Sequence, residues 1–419
     1  MNEMVEAMDT IGAEIMARAD ALGACSEDGP GVTRRFATPE HRAAMDLILD
    51  WMRDAGMEAW TDASGNAVGR YEGTTPGLPA LIMGSHQDTV RHGGRYDGML
   101  GIITPIACVK ALHRAGERLS FAIEIVAFGD EEGLRFQTSL LGSKAVAGTF
   151  DFTDLDCVDE DGVTLADAMR RFDLEPGEIS GIARQPSDVL AFVEIHIEQG
   201  PVLEARDLPV GVVTSIAGSS RRSVSITGTA GHAGTVPMDQ RHDALCAAAE
   251  CILAVERHCA ATPDIVGTVG VTEVDPGAIN VIPGGVRFTA DLRAPDNETR
   301  VALVEHMTAQ FEDICARRGL QVDIQTIQDS AACRCAGWLM DQLEAAVVGE
   351  GIAPYRLMSG AGHDAMALAD LTDVGMLFVR CTDGISHNPA EAITEQDAGT
   401  GARVLLRFIR DFSPTGPVS

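Results

Sequence analysis

Ala80-Leu81-Ile82-Met83-Gly84-Ser85-His86-Gln87-Asp88-Thr89 is a short apolar run that ends abruptly in polar residues. Two more segments have the same form: Phe121–Phe128 runs into GDEEG, and Leu190–Ile195 runs into HIEQG. Near-continuous apolar runs of this length suit strands buried on both faces, as in a parallel sheet. Helical signals stand between them. Thr38-Pro39-Glu40 joins an N-cap residue to a Pro at the first helical position, and Ala44, Ile48, Met52 and Ala55 recur at helical spacing until Gly56 stops the pattern. Helix and strand alternating over the first 200 residues predict an α/β fold with a mostly parallel sheet. Ligands of such sheets bind outside the carboxyl ends of the strands, so the three polar clusters point to one shared site.

The pattern changes from about Val213 to Ile327. Val224 and Ile226 alternate with polar residues as in a strand, and a helix is expected over Asp243–His258. Strands follow over Ile265–Val274 and Val286–Arg293, then a helix over Asn297–Arg318 and a strand over Leu320–Ile327. The order β-α-β-β-α-β is that of a ferredoxin-like sandwich. Afterwards the first pattern resumes, with a strand over Val374–Val379 and a closing helix over Glu395–Phe412. The expected organisation is therefore a catalytic domain in two parts, 1–212 and 329–419, with an α+β domain inserted at 213–328.

The chain has 419 residues, with 32 Lys plus Arg against 62 Asp plus Glu, a formal charge of −30. A balance this acidic argues against nucleic acid and anionic membranes as partners, because both require clustered Lys and Arg. No apolar run is long enough to span a bilayer, and the first residues, MNEMVEAMDTIGAEIM, are acidic where a secretory signal would be basic. A cytoplasmic location is the expectation. The ten cysteines lack paired spacing and read as reduced, mostly buried thiols, and the C-x-C of Cys333 and Cys335 does not match the spacing of structural zinc sites.

The polar clusters carry metal-ligand chemistry. His86 leaves a buried strand with Asp88 two residues on, the spacing of a ligand imidazole fixed by a neighbouring carboxylate, and Asp97 lies in GGRYDGMLG, where the backbone can bend closely around an ion. Asp130, Glu131 and Glu132 would ordinarily read as a solvated acidic turn, yet they emerge from a strand that reads as central. Carboxylates held together repel unless a cation intervenes, which would leave one Glu as ligand and its neighbour as general base. His196 and Glu198 point to one face of their strand, and His387 follows the strand Val374–Val379 by a short loop. Imidazoles mixed with carboxylates favour zinc, manganese or cobalt over magnesium or calcium.

The chain resembles the allantoate amidohydrolase, ureidoglycolate amidohydrolase and N-carbamoyl-L-amino-acid hydrolase family of di-metal aminoacylase and carboxypeptidase-type hydrolases. GSHQDTVRHGGRYDGMLG, GDEEGLRF, LLGSKAVAG, HIEQGPVLE, GHAGTVPM, GAINVIPG, DLR, SGAGHDAM and GISHNPAE carry the resemblance, in that order, from about Thr33 to Glu391. It implies two divalent ions, one held by His86 and His196, the other by Glu132 and His387, with Asp97 bridging them. Glu131 would be the general base and Asp88 would support the ligands from behind. His232 would stabilise the oxyanion, Asn280 and Arg293 would bind the substrate, and Gln199 and Gly360 would line the pocket. The inserted domain would serve as a lid and dimerisation domain, its residues often acting across a homodimer.

The implied reaction is cleavage of the ureido C–N bond of a small carboxylate, with release of ammonia and carbon dioxide. Allantoate is the favoured substrate because GDEEGLRFQTSLLGSKAVAG, SGAGHDAM and LFVRCTDGISHNPAE look closer to the allantoate and ureidoglycolate members. N-carbamoyl-L-amino acids, N-carbamoyl-β-alanine and ureidoglycolate are the alternatives. A non-catalytic dimeric scaffold of the same fold is a distant one, opposed by the intact set His86, Asp97, Glu131, Glu132, His196 and His387.

Overall fold

The computed structural model describes residues 10–414, which divide into two compact units: 10–214 with 335–414, and Ser215–Arg334. The second unit thus begins at Ser215 rather than 213 and ends at Arg334 rather than 328. Its last strand, Gln321–Ser330, is the reason for the later end. A bulge between Thr326 and Gln328 lets that strand keep its pairing as far as Ser330 opposite Ser219.

The first unit is built on a mixed sheet whose strands lie in the order Glu58–Thr61, Ala67–Tyr71, Ala122–Phe128, Ala80–His86, Val189–Ile197, Val374–Val379, Val210–Ile216. The middle four are parallel to one another. Ala67–Tyr71 and Val210–Ile216 flank them antiparallel. Every residue of Ala80–His86, Ala122–Phe128 and Val374–Val379 is buried, which is why these stretches read as near-continuous apolar runs instead of alternating. The expected helix is Pro39–Asp54, with the Thr38 hydroxyl accepting the His41 N–H at 3.3 Å. Helix Met99–Arg114 is apolar almost all round because it is enclosed between the sheet and other helices, including Glu395–Asp411.

Parallel direction aligns the strand ends. His86 is paired with Phe128 and Val379 with Ile197, so the loops that follow all four central strands leave one edge of the sheet. Those loops contain QDT, GDEEG, EQG and GISHNPAE.

The second unit is an antiparallel sheet in the order Thr272–Asp275, Gly285–Ala294, Gly218–Thr227, Gln321–Ser330, with Val266–Thr268 also paired to Gly285–Ala294. Helices Ala244–Ala261 and Asn297–Arg317 cover one face, closing a core that includes Val224, Ile226, Phe288, Leu292, Leu303 and Phe311. This is the split β-α-β order of a ferredoxin-like sandwich. The stretch expected as one strand over Ile265–Val274 is two, Val266–Thr268 and Thr272–Asp275, and a two-residue ribbon pairs Gly231–His232 with Val281–Ile282.

No helix among the described residues is long and apolar enough to cross a membrane. The ten cysteines are thiols, with Cys333 and Cys335 both buried.

Candidate functional site

Asp97 is the hub of the first unit's polar cluster. Its Oδ1 lies 3.2 Å from His196 Nε2 and 3.7 Å from His86 Nε2, and its Oδ2 lies 3.2 Å from His387 Nε2. Two of the imidazoles are aimed by their other nitrogen: His86 Nδ1 is 3.0 Å from the Asp88 carbonyl oxygen, and His196 Nδ1 is 2.9 Å from that of Ile197. The loop bearing Asp97 approaches His86 so closely that a Cβ on Gly98 would fall 2.6 Å from the ring, and Gly98 has φ +73°.

Glu131 and Glu132 enter from the neighbouring strand exit. Their backbone N–H groups donate to Asp88 Oδ1 and Oδ2, at 3.0 and 3.1 Å. Asp88 therefore does two things. Its backbone carbonyl orients His86, while its carboxylate, 3.9 Å from the His86 ring nitrogen, pins the loop of the two glutamates. The sequence reading assigned the ring to the carboxylate; the strand geometry gives that task to the peptide group instead. Asp130, the first acid of the run, turns away to accept the Thr138 hydroxyl at 2.9 Å. Asp130 and Gln199, two residues past their strand ends, and His387 in the loop after Val374–Val379 all have left-handed backbones, with φ +56°, +56° and +52°. Such strain in non-glycine residues gathers where the surroundings fix a functional geometry.

The charges are strongly interdependent. Burial opposes an ionised Asp97, but its contacts with His196, His387 and His86 outweigh that and hold its pKa well below the usual range. Burial likewise opposes a charged His86, and Asp97 and Glu131 overcome it to raise its pKa well above normal. The Asp97 contact brings His387 to about 9. Burial, with neighbouring carboxylates adding to it, pushes Glu131 and Glu132 each up to about 8. Two crowded carboxylates that resist ionisation are in a conflict that a bound cation relieves.

The donor set fits such cations. His86, Asp97 and His196 form one group, Asp97, Glu132 and His387 another, and His86, Glu131 and Glu132 a third, with one ligand atom per residue lying within 4.8 Å of the others in its group. Asp97 belongs to the first two groups, and mixed imidazole and carboxylate donors suit borderline divalent metals.

Several residues in the motifs have roles that the sequence alone did not reveal. Glu198, which alternates with His196, caps the turn after its strand by accepting Val202 and Leu203 N–H, at 2.7 and 3.0 Å. Glu194 is fully buried and joins Ser85 to the Ala365 N–H, at 2.7 and 3.1 Å. His363 of SGAGHDAM packs edge-on against His196 and meets the Ser359 hydroxyl at 2.7 Å, so Gly360 lies in a loop that packs against the His196 ring. Gln199 Nε2 donates to Asp97 Oδ1 at 3.1 Å, while Gln199 Oε1 is buried without a hydrogen-bond partner among the described residues. For Glu194 and Gln199 the only sequence signal is membership in a motif, because their partners lie more than a hundred residues away along the chain.

In the second unit, His232 and Asn280 are exposed and share the small ribbon: His232 pairs with Val281, and Ala233 N–H donates to the Asn280 carbonyl at 3.0 Å. Arg293 stands near the end of strand Gly285–Ala294 and sets Nε and Nη2 against the Asp291 carboxylate, both at 3.0 Å.

A mostly parallel sheet with a histidine and carboxylate cluster at the carboxyl ends of its central strands and an inserted antiparallel unit defines a metallohydrolase architecture. Residues 82–411 match the Peptidase family M20/M25/M40, and the chain belongs to that family. It is 43% identical over 379 residues to the N-carbamoyl-L-amino acid amidohydrolase of Geobacillus stearothermophilus, covering 90% of this chain and 93% of that protein. It is 40% identical over 431 residues to allantoate deiminase 1 of Glycine max, covering 96% and 89%. Among solved structures, an amidase of the hydantoinase/carbamoylase family from Burkholderia multivorans matches with a TM-score of 0.89 at 32% identity, covering 95% of this chain and 97% of that one.

Proposed function

We propose that this chain hydrolyses the terminal ureido C–N bond of a small carboxylate and that allantoate is its substrate. The observation that carries the reading is one buried carboxylate, Asp97, facing three imidazoles, with Glu131 and Glu132 beside them. Likeness to an allantoate deiminase over 96% of the chain supports the choice of substrate.

His86, His196 and Asp97 would hold one divalent ion, and Asp97, Glu132 and His387 a second, drawn from zinc, manganese or cobalt. When bound, such ions lower the pKa of water and polarise the carbonyl. Glu131, left as the uncommitted carboxylate, accepts a proton from the attacking water and returns it to the departing nitrogen. The water oxygen bonds to the ureido carbon, the C–N bond breaks, and the nitrogen leaves as ammonia. The remaining carbamate then loses carbon dioxide. His232 donates to the oxyanion, Arg293 and Asn280 hold the substrate carboxylate end, and Gln199 and Gly360 line the pocket. A homodimer, with the inserted unit serving one or the other active site, completes the proposal.

A second reading, hydrolysis of N-carbamoyl-L-amino acids, is favoured by the 43% identity to an enzyme of that name. The test is ammonia release by metal-supplemented protein from allantoate, ureidoglycolate, N-carbamoyl-β-alanine and a set of N-carbamoyl-L-amino acids. The highest kcat/KM is expected on allantoate. Preference for a carbamoyl amino acid would establish the second reading, and no release from any of them would reject both.

A further inference from the structure

His387 is held differently from the other members of the cluster. His86 and His196 belong to strands, and the loop of Glu131 and Glu132 is tied down by Asp88. His387 lies in the loop past strand Val374–Val379, with a side chain 52% exposed and a left-handed backbone. Burial cannot fix a ligand so placed.

Its neighbour Ser386 supplies the tie. Ser386 Oγ donates to Glu391 Oε2 at 2.9 Å and accepts from Gln199 Nε2 at 3.2 Å. Glu391 Oε1 accepts the backbone N–H groups of Tyr96 and Asp97, at 2.9 and 3.1 Å. Gln199 Nε2 also reaches Asp97 Oδ1 at 3.1 Å. The contacts close a ring that runs from the Asp97 carboxylate through Gln199, Ser386 and Glu391 back to the amide of Asp97 itself. Glu391 is only 4% exposed and occupies space left by Gly94, where a Cβ would come within 2.1 Å of its carboxylate. Ser386 Oγ also lies 3.5 Å from Asp97 Oδ2, the oxygen that faces His387.

We infer that Ser386 and Glu391 are positioning residues for the ion of the Asp97, Glu132 and His387 group, locking the His387 loop to the backbone of Asp97. Each acts through other residues rather than as a ligand. The assignment rests on the two-ion reading above and adds that one ion depends on this ring more than the other does. Residues that orient metal ligands from behind are typically worth about 10–100-fold in metal affinity. Ser386→Ala removes both the donor to Glu391 and the acceptor of Gln199. Glu391→Gln keeps an oxygen for the two amides but sets an NH₂ where the Ser386 hydrogen was accepted. Ser386→Thr keeps the hydroxyl.

The experiment is calorimetric titration of metal-free wild type and the three variants with manganese or zinc, paired with counts of bound ions after dialysis and melting temperatures of the metal-free proteins. Wild type should bind two ions. Ser386→Ala and Glu391→Gln should each weaken one ion by about 10–100-fold and the other by much less, with metal-free melting temperatures near wild type. Ser386→Thr should restore most of the loss. Equal weakening of both ions, or wild-type affinity for both, would overturn the assignment while leaving the two-ion reading intact. A wild type that takes up fewer than two ions would overturn that reading and the assignment with it. If Glu391→Gln fails to fold, the Ser386→Ala and Ser386→Thr pair still decides.

Discussion

Asp97 and His232 belong to the same proposed reaction but to opposite kinds of structure. Asp97 is 5% exposed, faces three imidazoles, and sits among groups whose proton affinities are displaced from ordinary values. His232 is exposed on a two-residue ribbon, and its Nδ1 accepts the Gly234 N–H at 3.0 Å. The first arrangement is built within its own unit: backbone carbonyls orient the His86 and His196 rings, and the Asp88 carboxylate pins the loop of Glu131 and Glu132. The second presents its polar groups more openly: His232 is exposed, and Arg293 is held by the Asp291 carboxylate on its own strand. Chemistry that depends on displaced pKa values needs enclosure, whereas recognition of a small carboxylate needs only donors held ready.

If the division is sound, damage to the enclosed cluster should strike turnover. Glu131→Gln is expected to give the largest effect, lowering kcat by about 10²–10⁴-fold with both ions still bound. Steady-state rates beside metal counts check it, and persistent activity would remove Glu131 as the base. Damage to the displayed residues should strike binding instead. Arg293→Ala should raise KM about 10- to 100-fold, the worth of a charge-assisted contact, with metal content unaffected. An unchanged KM would take Arg293 out of the pocket.

The cluster also predicts how metal-free protein responds to pH. Glu131 and Glu132, at about 8 when folded against an ordinary 4.5, bind protons more tightly in the folded chain, so they stabilise it most at low pH and lose that contribution between 4.5 and 8. His387, at about 9 against 6.5, loses its contribution between 6.5 and 9. The melting temperature of metal-free protein should therefore fall by several degrees from pH 6 to pH 9, and metal-loaded protein should fall much less. Parallel pH curves for the two forms would contradict the idea that cations relieve the crowding.

The smallest effect concerns the whole surface. A net charge of −30 repels an anionic substrate at long range, so added salt should leave kcat/KM unchanged or raise it less than about twofold. A steep fall with salt would mean that a cationic surface steers the substrate, and the contrast between enclosed and displayed groups would lose force.

Much of this arrangement was legible in the sequence because apolar runs ending in polar clusters reflect how a parallel sheet is built. The Thr38 cap, the strands ending at His86 and Phe128, and the βαββαβ order of the inserted unit all follow from local periodicity. What stayed hidden depended on contacts between distant residues. Asp88 looked like a support for His86 two positions away, but its carboxylate serves amides more than forty residues further on. Glu391 reads as the last acid of a loop, and nothing near it in the chain indicates that it accepts the amides of Tyr96 and Asp97. The split of the strand expected over Ile265–Val274 was invisible for a different reason: apolar composition continues through a break that only the pairing to Gly285–Ala294 defines.

The central claim is that the cluster around Asp97 holds two divalent ions and with them hydrolyses a ureido bond. Metal-free protein titrated stepwise with manganese or zinc, with bound ions per chain and ammonia release from allantoate measured on the same samples, tests it most directly. Ammonia release should be small up to one ion, rise as the second binds and level off at two. Full activity in metal-free protein, or none with both ions bound on allantoate and carbamoyl amino acids alike, would contradict it.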